Sequence, residues 1–166
     1  MFCRDPGSTA LSEEVRNLIL HREDLPMCRM AQLFLFMAAR AQLVEEVIQP
    51  ALKAGKTVVA DRFLLANVVY QGYAGGLDPE QIWQIGRYAT KGLLPDKTFV
   101  LDVPPEIAAS RMGFRDLDRI EKEDQEFKRR LREGFIEQTR KRPESVFLIN
   151  SAQSIQGALE EIIQRL

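Results

Sequence analysis

The sequence predicts an α/β fold in which a parallel sheet is covered by helices on both faces. Three short apolar runs, 57–60 (TVVA), 97–102 (KTFVLD) and 145–150 (SVFLIN), alternate with longer amphipathic stretches. Buried strands that alternate with helices are typical of parallel sheets in three layers. The length of 166 residues, with 45% hydrophobic and 28% charged residues, favours a single domain over residues 1–166.

Capping residues and apolar spacing place the helices. A short amphipathic helix follows Ser8 or Thr9, either of which can serve as its N-cap. Residues 29–54 form a long, strongly apolar helix, for which we expect a kink near Pro50 and a C-terminal cap at Gly55. Asp78 starts a further helix. Two more helices follow the second strand, and an amphipathic helix closes the chain.

The composition excludes several classes of function. A formal net charge of -1 gives no electrostatic basis for binding nucleic acid or an anionic membrane surface. Cys3 and Cys28 form no CxxC pair and there is one histidine, so we expect reduced, buried thiols and no zinc site. No apolar run approaches the ~20 residues that span a bilayer, and the sequence favours a cytoplasmic location without membrane contact.

The stretch Gly55-Lys56-Thr57 has the composition of a phosphate loop but the wrong setting. A phosphate loop needs GxxxxGK[ST] running from a strand into a helix, where the first helical amides converge on the anion. Here Pro50 stands where the first glycine is needed, and the stretch leaves a helix to enter a strand. We therefore interpret these residues as a helix end, and no other GxxxxGK[ST] occurs in the sequence.

Asp61 and Arg62 follow directly after the first of these three apolar runs, at the end of the predicted strand. Ligands approach an open α/β sheet at the carboxyl ends of its strands. Asp61 could hold magnesium through its water shell, and the planar fork of Arg62 could clasp a phosphate. An acid and a base at this place also commonly form a solvated pair or a helix cap, and spacing alone leaves both interpretations open.

Several blocks resemble the bacterial thymidylate kinases, which transfer the γ-phosphoryl group of ATP to dTMP. RDPGSTALSEEVRNLIL resembles the family's Arg-Glu-Pro-Gly-Gly-Thr segment and the helix after it, although Asp5 and Ser8 depart from that pattern. FMAARAQLVEEVIQPAL, DRFLLANVVYQG, GLLPDKTFVLDVPPE and LDRIE continue the match in the family's order. The resemblance implies a P-loop nucleoside monophosphate kinase fold, with ATP and dTMP as substrates, Mg²⁺ as cofactor and a homodimer as the assembly.

The resemblance also implies roles for individual residues on the acceptor side. Phe36 would stack on thymine, and Arg40, one helical turn later, would bind an exocyclic oxygen of the base. Asn67 offers the donor and the acceptor that the thymine edge needs. Tyr70 would close on the sugar, where a 2′-hydroxyl would intrude. The alternative for Phe36 is a core position, and for Arg40 a surface charge.

The remaining implied site residues concern the phosphates. Gln71 belongs to the Tyr-Gln-Gly block of the substrate pocket, Arg62 is the phosphate clamp, and Arg4 would assist it. Arg111 and Arg115 lie in the segment that resembles the mobile lid, where they would stabilise the transferred charge. Without the resemblance, that run is a solvated charged helix.

Family members begin with a strand, a phosphate loop and a helix that precede the Arg-Glu-Pro-Gly-Gly-Thr block. These 166 residues start almost at that block, so about one βα unit, roughly 30 residues, is not among them. Because that strand is central in the family's sheet, we expect unpaired backbone and an apolar slot without it. Three interpretations of these 166 residues remain open. They could be part of a complete thymidylate kinase, a non-catalytic remnant that binds a nucleotide or a partner, or a deoxynucleoside kinase.

Overall fold

The computed structural model describes residues 1–112 and 118–166 as strands alternating with helices. The strands are β1 Phe2–Arg4, β2 Val59–Asp61, β3 Thr98–Asp102 and β4 Val146–Asn150. The helices are α1 Ala10–Leu20, α2 Arg29–Leu43, α3 Gln49–Lys53, α4 Leu64–Asn67, α5 Pro79–Ala89, α6 Pro105–Met112, α7 Gln125–Lys141 and α8 Ile155–Ile163. Two π-helical segments, Val44–Ile48 and Val68–Ala74, follow α2 and α4. The predicted α/β fold is confirmed.

The N-terminal caps largely follow the sequence. Thr9, not Ser8, caps α1, because its Oγ1 accepts a hydrogen bond from the Ser12 amide at 3.1 Å. Asp78 caps α5 through a bond from the Glu80 amide at 2.9 Å. The expectation that both thiols are buried is wrong for Cys28, which precedes α2 and is exposed, whereas Cys3 in β1 is buried.

The long apolar helix continues through Pro50 as consecutive α- and π-helical segments. Its irregularity is the π-helical turn Val44–Ile48, and Pro50 lies in the first turn of α3, where a missing amide is tolerated. At the other end, Gly55 adopts φ 71°. Its amide donates to the Leu52 carbonyl at 2.9 Å, and the Lys56 amide donates to the Ala51 carbonyl at 3.0 Å. This pair of bonds is a Schellman motif, which confirms the helix-end interpretation.

The strands form two separate parallel sheets where the sequence predicted one. β1 pairs with β2, and β3 pairs with β4. Within the described residues no strand joins the two pairs. Each described strand is therefore hydrogen-bonded to one neighbouring strand.

The strands are also less buried than their apolar sequences predict. Val59 in β2 is 58% exposed, and Leu101 in β3 is 56% exposed. The closing helix α8 has no buried residue, and Ile155 at its start is 91% exposed. Strands of a parallel sheet are normally covered on both faces. The described residues therefore leave parts of the strands and of α8 uncovered.

The main core cluster connects the two halves of the chain. It joins Leu33 of α2, Leu64 of α4 and Ile82 of α5 to Val146 of β4. A second cluster between α1 and α2 contains Ile19 and Phe36, among others. Helices α2, α4 and α5 thus pack together with the start of β4. Among the described residues, no helix combines the length and apolar character that crossing a membrane requires.

Gly86 is required for the close approach of α5 to α4. A Cβ atom at this position would lie 2.0 Å from Cδ1 of the buried Leu64. We expect Gly86→Ala to lower the free energy of unfolding by about 1–3 kcal/mol through overpacking. Gly157→Ala in α8 is the matched control, because its Cβ would meet the flexible end of Gln153 and would lie at an ordinary contact distance of 3.4 Å from Ser154 Oγ. Urea unfolding of both variants checks this, and equal midpoints would contradict it.

Candidate functional site

The carboxyl ends of β1 and β2 bring together the residues expected to meet a phosphate. The parallel register sets Arg4 opposite Asp61. The Asp5 amide continues the ladder by donating to the Asp61 carbonyl at 3.0 Å. Arg62 follows directly, so an acid and two arginines lie at one sheet edge. This is the edge at which ligands approach open α/β sheets.

Arg62 is held in an unusual backbone conformation. Its φ is 65°, a left-handed value that costs a residue with a Cβ atom roughly 1 kcal/mol or more. The guanidinium carbon lies 5.0 Å from the centroid of the Tyr70 ring. Tyr70 in turn makes edge contacts with Phe127 and Phe135, at centroid distances of 6.4 and 6.2 Å. Helix α7 therefore supports the aromatic ring against which Arg62 is oriented.

Arg4 is committed to a partner of its own. Its Nη2 donates to both carboxylate oxygens of Glu13, at 2.9 and 3.0 Å. The Ser8 amide donates to the same carboxylate at 2.9 Å. The pKa of Glu13 is held below its usual value by the Ser8 amide first and by Arg4 as well. A Cβ on Gly7 would come within 2.7 Å of this carboxylate, so the turn needs glycine there.

Arg16 is a further cation at this edge, and sequence reasoning missed it. It follows Glu13 by three residues on α1, and its Nη1 donates to the Pro6 carbonyl at 3.3 Å. Burial lowers the pKa of Arg16, and the charge of Arg4 lowers it further. The sequence signal that could have identified Arg16 is its position one helical turn after the acidic residue Glu13.

Arg40 is a buried residue rather than a surface charge. Its side chain is 1% exposed, and its Nε donates to Oδ2 of the fully buried Asp5 at 2.6 Å. Nη1 contacts the sulfur of Met37 at 3.3 Å, and the guanidinium carbon lies 5.2 Å from the Phe63 ring centroid. Phe36, one turn earlier, is 6% exposed within the α1–α2 core cluster. Its role in stacking stays a prediction.

Asn67 binds neighbouring side chains through both of its polar atoms, and its role at the thymine edge stays a prediction. Its Oδ1 accepts from Arg40 Nη2 at 2.5 Å, and its Nδ2 donates to Gln71 Oε1 at 2.9 Å. Asp5, Arg40, Asn67 and Gln71 therefore form one buried polar chain. Three residues expected in the base pocket, Arg40, Asn67 and Gln71, are thus brought together, and part of their hydrogen-bonding capacity is used within the protein.

The second sheet presents a polar group at its own carboxyl end. Arg132 binds both oxygens of Asp102 at 2.7 and 2.8 Å, and it holds the pKa of Asp102 below its usual value. Arg111 Nη1 donates to the Ser151 carbonyl at 2.7 Å, and the Ser151 amide donates to the Asp102 carbonyl at 2.7 Å. Arg111 thus lies beside a strand end. Arg115 falls outside the described residues.

Asp61 is the candidate for magnesium. It is exposed at the end of β2, and no group of three or more His, Cys, Asp or Glu residues in the described part of the chain could enclose an ion. Magnesium commonly keeps several waters and is bound by one or two carboxylates together with substrate phosphates. The single carboxylate fits that kind of site and does not fit a dedicated protein cage.

Comparison with known proteins identifies the family. The thymidylate kinase family model matches residues 1–162. The thymidylate kinase of Symbiobacterium thermophilum is 38% identical over 162 residues, which are 98% of this chain and 76% of the relative. That of Fervidobacterium nodosum is 42% identical over 161 residues, covering 97% and 80% of the two chains.

A solved structure gives the same result at the level of the fold. The crystal structure of thymidylate kinase from Ehrlichia chaffeensis superimposes with a TM-score of 0.78 at 30% sequence identity, and the match covers 100% of this chain and 79% of that one. Sequence and structure agree over almost the whole chain, with the strand-end arginines and the buried polar chain inside the matched region. The chain belongs to the thymidylate kinase family.

Proposed function

We propose that the protein acts in the phosphorylation of dTMP to dTDP, with ATP as the phosphoryl donor. The observation that carries the proposal is the family match over residues 1–162, which contains both Arg62 at the strand end and Arg40 in the base pocket. Arg62 would clasp the phosphate of dTMP with its planar fork. Arg16, and Arg4 held by Glu13, add positive charge at the same edge.

Recognition of the nucleoside would take place along α2 and the π-helical segment after α4. Arg40 would donate to an exocyclic oxygen of thymine, next to stacking by Phe36. Asn67 and Gln71 would complete the base edge, and Tyr70 would exclude a ribose 2′-hydroxyl. The residues proposed for the base and the sugar lie on helical segments packed in the core, which would hold the acceptor phosphate at a fixed distance from the base.

Asp61 would contribute to holding a magnesium ion through its water shell. When bound, the ion would neutralise charge on the phosphates during transfer. The chain's own part would be to keep Asp61 at the end of β2, beside Arg62. Arg111 and Arg115 would reach the ATP phosphates from the lid.

A second candidate function is nucleotide binding without phosphoryl transfer by these 166 residues. The observation that favours it is the pairing of strands into two separate sheets, together with a sequence that contains no GxxxxGK[ST]. The Schellman bonds at Gly55 and Lys56 use the amides that a phosphate loop would direct at the anion. The acceptor side could then bind dTMP although the donor phosphates have no cradle.

We propose that the protein is cytoplasmic. We also propose that it forms a homodimer in which α2 contributes apolar contacts. Met30 and Phe34, one turn apart on that helix, are 40% and 54% exposed. Large apolar side chains grouped on one helix face are typical of protein interfaces. Sedimentation equilibrium of wild type and of Phe34→Glu tests this, with a shift from dimer to monomer expected in the variant.

The acceptor pocket should prefer dTMP to dUMP and both to UMP. The thymine methyl group should contribute only about 1–3 kcal/mol, because a hydrophobic pocket discriminates weakly against the loss of one methyl. Isothermal titration calorimetry with the three nucleotides measures the order directly. Equal affinity for UMP and dTMP would contradict the proposed function.

A further inference from the structure

We propose that Asp5 is a specificity-determining positioning residue, which acts through Arg40 to select a carbonyl oxygen on the bound pyrimidine. The inference rests on the proposed function and assigns a role to a residue outside the set expected to contact the base. Asp5 stands where the resembling family segment has glutamate. It lies at the end of β1, 35 positions before Arg40 in the sequence.

The first step of the argument is the geometry of the pair. Asp5 Oδ2 accepts from Arg40 Nε at 2.6 Å, and both side chains are almost fully buried, at 0% and 1% exposed. Such a pair loses its hydration and commonly gives no net stability over an apolar replacement. What it does provide is a fixed orientation of the guanidinium plane, since Nε and Nη2 are both bound, the latter to Asn67.

The second step concerns Nη1, the remaining nitrogen of the Arg40 guanidinium. Arg40 Nη1 donates to the thioether sulfur of Met37 at 3.3 Å. A thioether is a weak acceptor, so a carbonyl oxygen would be the better partner for this nitrogen. Because Nη1 can donate and cannot accept, a fixed Arg40 favours a base with an exocyclic oxygen. It disfavours a base that carries an amino group at that position.

The third step is the other oxygen of the carboxylate. Asp5 Oδ1 is buried and has no hydrogen-bond partner in the described part of the chain. A pair kept only for packing would be expected to satisfy both oxygens, since an unpaired buried acceptor is costly. The Asp5 backbone is meanwhile anchored to β2 through the Asp61 carbonyl. The strand end therefore fixes the carboxylate, and the carboxylate fixes Arg40.

The test compares the affinities of the protein for dTMP and dCMP, measured by calorimetry. Thymine has a carbonyl where cytosine has an amino group, so their affinity ratio reports the donor at Arg40. Wild type should prefer dTMP by at least about 100-fold, since a mismatched hydrogen-bonding group is strongly rejected. A wild type without preference would refute the proposed function, whatever the variants do.

Asp5→Asn should lower the dTMP to dCMP ratio by at least about 10-fold, because the guanidinium is no longer fixed by a charge. Asp5→Glu, which keeps the charge, should retain most of the ratio. A purely structural role for Asp5 would weaken both nucleotides equally and leave the ratio unchanged, and that result would overturn the inference. Glu126→Gln on α7, which removes an exposed ion pair with Arg129, is the control and should leave the ratio unaltered.

A second comparison does not depend on whether the single Asp5→Asn variant folds. It uses the Arg40→Met variant and the double variant that combines Arg40→Met with Asp5→Asn. If Asp5 acts through Arg40, the ratio in Arg40→Met should already be low, and adding Asp5→Asn should not lower it further. A further fall in the double variant would show that Asp5 selects the base by another route and would overturn the inference. Circular dichroism confirms that each variant is folded.

Discussion

The 166 residues, assayed as such, should release no ADP above background from MgATP and dTMP. Phosphoryl transfer depends on positioning and on charge stabilisation around the β- and γ-phosphates. The sequence contains no GxxxxGK[ST], and Gly55 and Lys56 use their amides to close a helix. Loss of the whole donor cradle should cost more than about 10⁴-fold in turnover, because removal of a single such donor commonly costs 10²–10³.

The comparison protein is the same chain preceded by a strand, a phosphate loop and a helix of family sequence. A coupled assay for ADP release at matched concentrations measures both proteins. We expect turnover only in the longer protein, and calorimetry should show that both still bind dTMP. Comparable rates in the two proteins would mean that the lid arginines or Gly55-Lys56-Thr57 can hold the donor phosphates after all.

Arg40→Ala should reduce both stability and dTMP affinity. The resemblance implies that Arg40 binds the base, and the structure also places Arg40 in a buried pair with Asp5. Removing one member leaves the Asp5 carboxylate buried without its counter-charge, which commonly costs about 3–5 kcal/mol. We expect a loss of this size in the free energy of unfolding, measured by urea denaturation, and affinity should be measured on the folded fraction.

Arg129→Ala is the matched control for the stability effect. Arg129 on α7 pairs with Glu126 and Glu133, at 2.7 and 2.5 Å, but its side chain is 57% exposed. Exposed ion pairs contribute between about 0 and 1 kcal/mol, so this variant should remain close to wild type. If both arginine variants unfold at the same urea concentration as wild type, the Asp5–Arg40 pair does not have the energetic role assigned to it.

The local features of the fold were predictable because they depend on neighbouring residues. The Asp78 cap and the glycine C-cap at Gly55 follow from residue types within one helical turn. The strand ends at Asp61 and Asp102 were also placed correctly from short apolar runs. These signals were strong enough to reject Gly55-Lys56-Thr57 as a phosphate loop before the geometry was known.

The buried polar chain at the proposed base site could not be predicted in the same way. Asp5 and Arg40 are far apart in sequence, and no local pattern distinguishes a buried pair from two solvated charges. The π-helical turns at Val44–Ile48 and Val68–Ala74 also lack a clear residue signature. Tertiary packing decides these features, because burial forces each polar side chain to find a partner within the fold.

The division into two small sheets has a consequence for how these residues behave in concentrated solution. Each described strand pairs along one side only, which leaves backbone amide and carbonyl groups available on the other. Such edges, with apolar residues like Val59 and Leu101 beside them, are templates for β-pairing between separate molecules. A strand supplied within the same polypeptide would remove these sites. Covering the edges would thus protect the molecule from self-association, and this benefit is independent of phosphoryl transfer.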